Sequence, residues 1–186
     1  SSANRLAIPL TLGVLLRRRR ALCDAMERDI MLINNAPEFW DETVDFIAVG
    51  SGCGGLSAAI TAADHGLNAL VLERTEALGG VTAYSMGELW VPGNHWAIDA
   101  GIDDSMESGF RYVHALSMGY GDPRAMWNQA RHGPQVLRYL ADRIGLSMQL
   151  IRDFPDYYYP HQADAVAEGR YLEIAPFDAS QLGAWQ

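Results

Sequence analysis

An α/β fold built on a parallel sheet is the prediction, and three features of the sequence carry it. A short, mostly apolar run, Val44-Asp45-Phe46-Ile47-Ala48-Val49, has the character of a buried parallel strand. A second run, Ala69-Leu70-Val71-Leu72, follows and ends on Glu73. Between them lie a glycine-rich turn at 50–55 and a helix of small residues, Leu56 to Gly66, closed by its glycine. Two parallel neighbours need a crossover of this kind.

Composition bounds the rest. The 186 residues, 49% hydrophobic and 20% charged, suffice for one domain with a sizeable core and part of a second. Five Trp, eight Tyr and five Phe exclude general disorder. The longest apolar run, Leu6 to Leu16, is broken by Pro9 and Gly13 and is too short to span a bilayer. Cys23 and Cys53 lie far apart and outside any CxxC, which excludes a disulfide scaffold and a cysteine zinc site and fits a reducing, cytoplasmic compartment. The five His have no metal-binding spacing, so no metal is expected.

The net charge of −9 is unevenly spread. The first twenty residues hold five Arg and no acid; the rest hold nine Arg against 23 acids, a net charge of −14. So acidic a body is unsuited to nucleic acid. The arm at 1–43 begins on Ser rather than Met, so the true start is expected upstream. Its apolar stretch precedes Arg17-Arg18-Arg19-Arg20, the reverse of a secretory signal. Two readings stand: an arm packing on a partner or on the rest of the protein, or peripheral attachment to an anionic membrane surface. Leu22, Met26, Ile30 and Ile33 share one side of a candidate helix over 21–33.

The strand–turn–helix–strand unit at 44–73 has the form of a dinucleotide cradle. In Gly50-Ser51-Gly52-Cys53-Gly54-Gly55, Gly50 permits the tight turn, Gly52 the approach of a pyrophosphate and Gly55 the packing of helix on sheet. The helix N-terminus turns its free N–H groups and positive dipole end to the phosphates. Glu73, 23 residues after Gly50, is placed where a carboxylate accepts ribose hydroxyls. A Rossmann-like sheet follows, with 44–104 as the first part of the cofactor domain.

The segment after Glu73-Arg74 selects the dinucleotide. Gly79-Gly80-Val81-Thr82-Ala83-Tyr84-Ser85-Met86-Gly87 looks like a flavoprotein continuation, with Gly79 to Gly87 along the ribityl chain and isoalloxazine of FAD. The stretch resembles the fumarate reductase/succinate dehydrogenase flavoprotein superfamily. Through Gly79, Gly80, Thr82, Ala83, Ser85, Gly87, Trp90 and Pro92 it is most similar to the 3-ketosteroid Δ1-dehydrogenase branch. It departs from that branch at Val81, Met86 and Glu88. A second match, Asp153-Phe154-Pro155-Asp156-Tyr157-Tyr158-Tyr159-Pro160 with Gly169-Arg170 and Ala175-Pro176-Phe177-Asp178, resembles the same branch.

The resemblance, covering about 44 to 183, implies an FAD-dependent oxidoreductase acting on CH–CH groups of a steroid-like ring ketone, with hydride passing to the flavin. It implies cofactor contacts at Gly50, Ser51, Gly52, Cys53, Gly54, Gly55, Glu73, Arg74, Gly79, Gly80, Thr82, Ala83, Ser85 and Gly87, and an active-site role for Tyr157. A fumarate or dicarboxylate reductase and a flavin-binding assembly subunit without chemistry remain alternatives. Cys53 is read as a small filler of the turn, not a nucleophile. The Asp103-Asp104 pair is read as a solvated loop.

Residues 105–186 are expected to be a helical region leading into an inserted substrate domain. One helix runs from about Ser105, its N-cap, to Met118; another begins at Pro123. The second is expected to break near Gly133-Pro134 and to resume with Val136, Leu137, Leu140 and Ile144 on one face. A complete enzyme of the family is much longer. The remainder is expected as a missing C-terminal part or as a second chain.

Overall fold

The computed structural model describes residues 12–16, 42–178, 180 and 183. The candidate helix over 21–33 and the Arg17–Arg20 run lie outside the described residues. The chain divides into two compact units, 1–85 and 86–186. Among the described residues no helix is long and apolar enough to cross a membrane.

The first unit is a parallel sheet with strands β1 (Leu12–Leu16), β2 (Phe46–Val49) and β3 (Ala69–Glu73), in the order β1-β3-β2. Phe46 pairs with Ala69 and Val49 with Leu72; on the other edge Leu12 pairs with Ala69 and Leu16 with Glu73. Leu12–Leu16, the last residues of the arm's apolar run, are thus a strand of the sheet. Helix α1 (Cys53–Asp64) crosses between β2 and β3. Its small residues allow close approach: Ala59 and Ala62 pack with Ala48, Ala69 and Val71, and Phe46, Leu56 and Ala63 close the edges. Alternation along β2 turns Ile47 and Val49 away from α1, and they are 53% and 85% exposed. The strand expected to be buried on both faces is covered on one, because the described residues of this unit supply a helix to that face alone. A short helix, α2 (Gly80–Tyr84), completes the unit.

The second unit carries a sheet that the sequence pattern did not announce. Strands β4 (Leu89–Trp90), β5 (Met148–Leu150) and β6 (Tyr171–Ile174) pair antiparallel in the order β4-β6-β5. Segments of two to four residues are too short for alternation to register. Helix α3 (His95–Asp99) is capped by Asn94, whose side chain accepts from the Ala97 N–H. Helix α4 (Met106–Leu116) has Ser105 as N-cap, as expected, and α5 (Pro123–Tyr139) follows Asp122. Helix α5 does not break at Gly133-Pro134 but runs through Pro134 into a π-helical turn, Leu140–Ile144. Proline removes one N–H from the ladder. Ala130 and Leu137, buried on either side of it, hold the helix in place. Leu137 joins Val91, Met148 and Leu172 in the core with Leu140 and Ala141 packed against them, whereas Val136 is 51% exposed and off that face.

Candidate functional site

The site of the first unit begins where the chain leaves β2. Gly50 has φ +97°, a left-handed conformation that a side chain resists. Its N–H donates to the Leu72 carbonyl at 2.7 Å, which extends the β2–β3 ladder into the turn. At Gly55, a Cβ would collide with the Gly50 carbonyl oxygen. Glycine is therefore required at 50 by the backbone and at 55 by helix packing.

Gly52 is different. Its φ of −67° and ψ of 176° suit any residue, and a Cβ there would have no atom of the protein within 4 Å. It lines a cleft of about 790 Å³ with Val49, Gly50, Ser51, Glu73, Arg74, Gly80, Ala83 and the exposed Tyr84. A glycine demanded by neither backbone nor packing, opening on a cleft at a helix N-terminus, fits the close approach of a pyrophosphate. Helix α1 has no side-chain cap; the Cys53 N–H donates to Thr82 Oγ1 at 3.2 Å. Cys53 is exposed on the first turn, its Sγ 4.0 Å from Ser57 Oγ, and is not a buried filler of the turn. Gly54 likewise faces open space.

Glu73, at the end of β3, is buried at 8% exposure. Its Oε2 accepts from the Ser51 N–H at 3.0 Å and the Ser51 hydroxyl at 2.6 Å. Oε1 accepts from the Thr75 N–H at 2.9 Å and the Thr75 hydroxyl at 3.0 Å. These donors, the Ser51 hydroxyl first, lower the carboxyl from 4.5 to about 2, against a smaller opposing effect of burial. Ser51 Oγ also accepts from the Gly79 N–H at 3.0 Å, which ties the second glycine turn to the first. A Cβ on Gly80 would lie 3.4 Å from Gly52 Cα. Ser85 Oγ donates to the Thr82 carbonyl at 3.2 Å. Thr75 was not singled out from the sequence; its place two residues after an acid, where a hydroxyl and N–H reach back together, was the available signal.

Gly87 and Tyr157 belong to the second unit. Gly87 has φ +70°, and Tyr157 is 80% exposed, its ring 6.2 Å from that of Tyr171. Burial first, then the charge of Asp156, pushes the Tyr171 phenol up to about 12.

The polar centre of this unit is Arg170, fully buried. Its Nη2 donates to Asp104 Oδ1 at 2.7 Å and Ser108 Oγ at 2.9 Å, its Nη1 to Asp156 Oδ2 at 2.7 Å. Asp156 also accepts from Trp90 Nε1 at 2.7 Å and the Val166 N–H at 3.1 Å; Asp104 accepts from the Gly93 N–H at 2.9 Å. The guanidinium lies 5.4 Å from the Trp90 ring centroid and 5.6 Å from that of Tyr112. Asp104 is therefore no solvated loop residue: the buried guanidinium requires carboxylates beside it. Its partner lies 66 residues away, beyond any local pattern.

Comparison with known proteins follows the same lines. The chain is 38% identical over 131 residues to a 4-oxocyclohexanecarboxylate 2-dehydrogenase of Sinomonas cyclohexanicum, covering 70% of this chain and 23% of that protein. It is 34% identical over 140 residues to a 3-oxosteroid 1-dehydrogenase of Mycobacterium tuberculosis, covering 75% and 25%. Among solved structures, a 3-ketosteroid Δ1-dehydrogenase of Sterolibacterium denitrificans in complex with 1,4-androstadiene-3,17-dione matches with a TM-score of 0.68 and 34% identity, covering 75% of this chain and 24% of that one. The chain thus spans about a quarter of the length of the curated relatives it matches. The model of the FAD binding domain family matches residues 45–186, and with the dinucleotide cradle in place the chain belongs to that family.

Proposed function

We propose that this chain is the cofactor-binding part of an FAD-dependent dehydrogenase that desaturates a ring ketone of the 3-ketosteroid type. The observation that carries the reading is Gly52, open to the cleft beside an ionised Glu73. The dehydrogenases of oxosteroids and oxocyclohexanecarboxylate among its relatives supply the substrate class.

In this reading the Gly50–Gly55 turn and the first turn of α1 hold the pyrophosphate, and Glu73 takes the adenosine ribose. Arg74, exposed at the rim of the cleft, adds positive charge there. Gly79, Gly80, Thr82, Ala83 and Ser85 line the path toward the flavin ring. Bound FAD supplies a two-electron acceptor for the hydride that leaves the substrate carbon. The ketone acidifies its neighbouring C–H, and hydrogen-bond donors at its oxygen stabilise the enolate that forms. Tyr157 supports the base that removes that proton. Tyr171 beside it is unsuited to be that base, since its phenol is shifted up to about 12. We assign the principal base to the remainder of the enzyme.

That remainder, in the same polypeptide or in a second chain, is the partner we assign to the bare face of β2 at Ile47 and Val49. We place the protein in the cytoplasm, with the Arg17–Arg20 run as a contact for the remainder of the enzyme or, alternatively, for an anionic membrane surface.

The test is made on the complete protein. It should be yellow, release FAD rather than FMN on denaturation, and oxidise a 3-ketosteroid with an artificial electron acceptor. Reduction of fumarate without turnover of any ring ketone would overturn the reading.

A further inference from the structure

A carboxylate has about four acceptor directions, and those of Glu73 are all taken: two by Ser51 on Oε2 and two by Thr75 on Oε1. A ribose diol therefore bonds to Glu73 by displacing donors. Two of the four are backbone N–H groups fixed by the turns they belong to. The other two are hydroxyls, which rotate.

The two hydroxyls are not equivalent. Thr75 Oγ1 lies 2.7 Å from the Ala77 carbonyl oxygen and 3.0 Å from Glu73 Oε1. One hydroxyl proton serves one acceptor at a time, so Thr75 can give its proton to Ala77 and leave a direction on Oε1 open with no net loss of a bond. Ser51 Oγ is held from two sides. It donates to Oε2 at 2.6 Å and accepts from the Gly79 N–H at 3.0 Å. Turning it away gives up a short hydrogen bond to a charged group at a fully buried residue.

We infer that Glu73 reads the adenosine ribose of the dinucleotide through a single oxygen. The Thr75 hydroxyl yields its place on Oε1 to one ribose hydroxyl, and Ser51 keeps Oε2 closed. Ser51 is then a positioning residue: it aims the carboxylate, holds it ionised and limits it to one of the two ribose hydroxyls. The inference rests on the assignment of the cleft to FAD.

The experiment titrates the complete apoprotein with FAD and with two FAD analogues, one lacking the 2′- and one the 3′-hydroxyl of the adenosine ribose. Binding is followed by flavin fluorescence, with no turnover needed. One analogue should bind within about twofold of FAD. The other should lose roughly tenfold or more, the low end of a hydrogen bond to a charged group. In Ser51→Ala the freed direction on Oε2 should accept the second hydroxyl, so both analogues should then lose roughly tenfold against FAD. Losses of similar size for both analogues in the parent protein, or for neither, overturn the inference and leave the cleft assignment standing. A Ser51→Ala variant that keeps the parent's one-sided preference overturns the closing role of Ser51. Failure of the parent apoprotein to bind FAD at all removes the cleft assignment and the inference with it.

Discussion

Both units bury a carboxylate among hydrogen-bond donors, and the donors are of different kinds. Glu73 is surrounded by two backbone N–H groups and two hydroxyls, beside a cleft. Asp156 is held by a guanidinium, an indole N–H and a backbone N–H in a closed interior. The Thr75 hydroxyl can turn to the Ala77 carbonyl instead; a guanidinium fixed by two carboxylates and set beside two rings has no such second place. The first set can therefore be exchanged for a ligand's groups, and the second can serve only the fold. The glycines divide in the same way. Gly55 answers to an atom of the protein, and Gly52 faces nothing but the cleft.

Two pairs of substitutions put this contrast at risk, and their effects are the largest. Gly52→Val should leave folding near the parent level and reduce flavin content to almost nothing. Gly55→Val should lose the fold, because its side chain collides with the Gly50 carbonyl. Soluble yield, circular dichroism and flavin absorbance per polypeptide separate the two. A Gly52→Val protein with normal flavin breaks the argument. In the second unit, Arg170→Ala leaves two buried carboxylates without their cation and should cost about 3–5 kcal/mol of stability in denaturant unfolding. Arg170→Lys should recover little of it, since an ammonium cannot span Asp104 and Asp156 with the same fork. A loss below about 1 kcal/mol for Arg170→Ala would make the cluster incidental.

The same contrast explains what the sequence revealed. The cradle was legible because it is local. Strand, turn, helix, strand and acid fall within thirty residues, and Gly50, Gly52 and Gly55 each have a separate reason to be glycine. Thr75 escaped notice although it is adjacent, because a hydroxyl two residues from an acid is common and means something only once both bonds are seen. The Arg170 cluster was not legible in terms of contacts. Asp104 and Asp156 lie in loops and meet through Arg170, which immediately precedes β6, a strand too short to show its period. The continuity of α5 across Pro134 was missed because burial at Ala130 and Leu137, a tertiary effect, outweighs the local cost of a missing N–H.

A smaller effect tests Tyr157, where the contrast is sharpened by exposure: its neighbour Tyr171 is half-buried, and Tyr157 itself is open. A side chain that supports proton transfer needs that opening, and one that only packs does not. Tyr157→Phe keeps the ring and removes one hydroxyl. The loss of a hydrogen bond to a charged group in the transition state is worth about 1.5–3 kcal/mol, so the rate on a ring ketone should fall by roughly one to two decades. Flavin content should not change. Tyr158→Phe and Tyr159→Phe should cost much less. Parent rates in all three variants would remove Tyr157 from the reaction.

The smallest effect expected is the absence of one. Glu73 has its carboxyl lowered from 4.5 to about 2, chiefly by the Ser51 hydroxyl and then by the Thr75 and Ser51 N–H groups. A depressed carboxyl favours the folded, ligand-ready state at every pH above the unfolded value, and that contribution disappears only as the pH falls from about 4.5 toward 2. Affinity for FAD should therefore carry no step assignable to Glu73 between about pH 5 and 9. Ser51→Ala removes the largest of the lowering influences. The carboxyl then moves back up toward its ordinary value, and the acid limb of FAD release should shift to higher pH than in the parent. Flavin fluorescence on stepwise acidification reads both limbs, and a parallel circular dichroism trace separates release from unfolding. Coincident limbs would mean that Ser51 does not hold the proton off Glu73. The distinction between a carboxylate kept ready by hydroxyls and one locked by a guanidinium would then lose its electrostatic half.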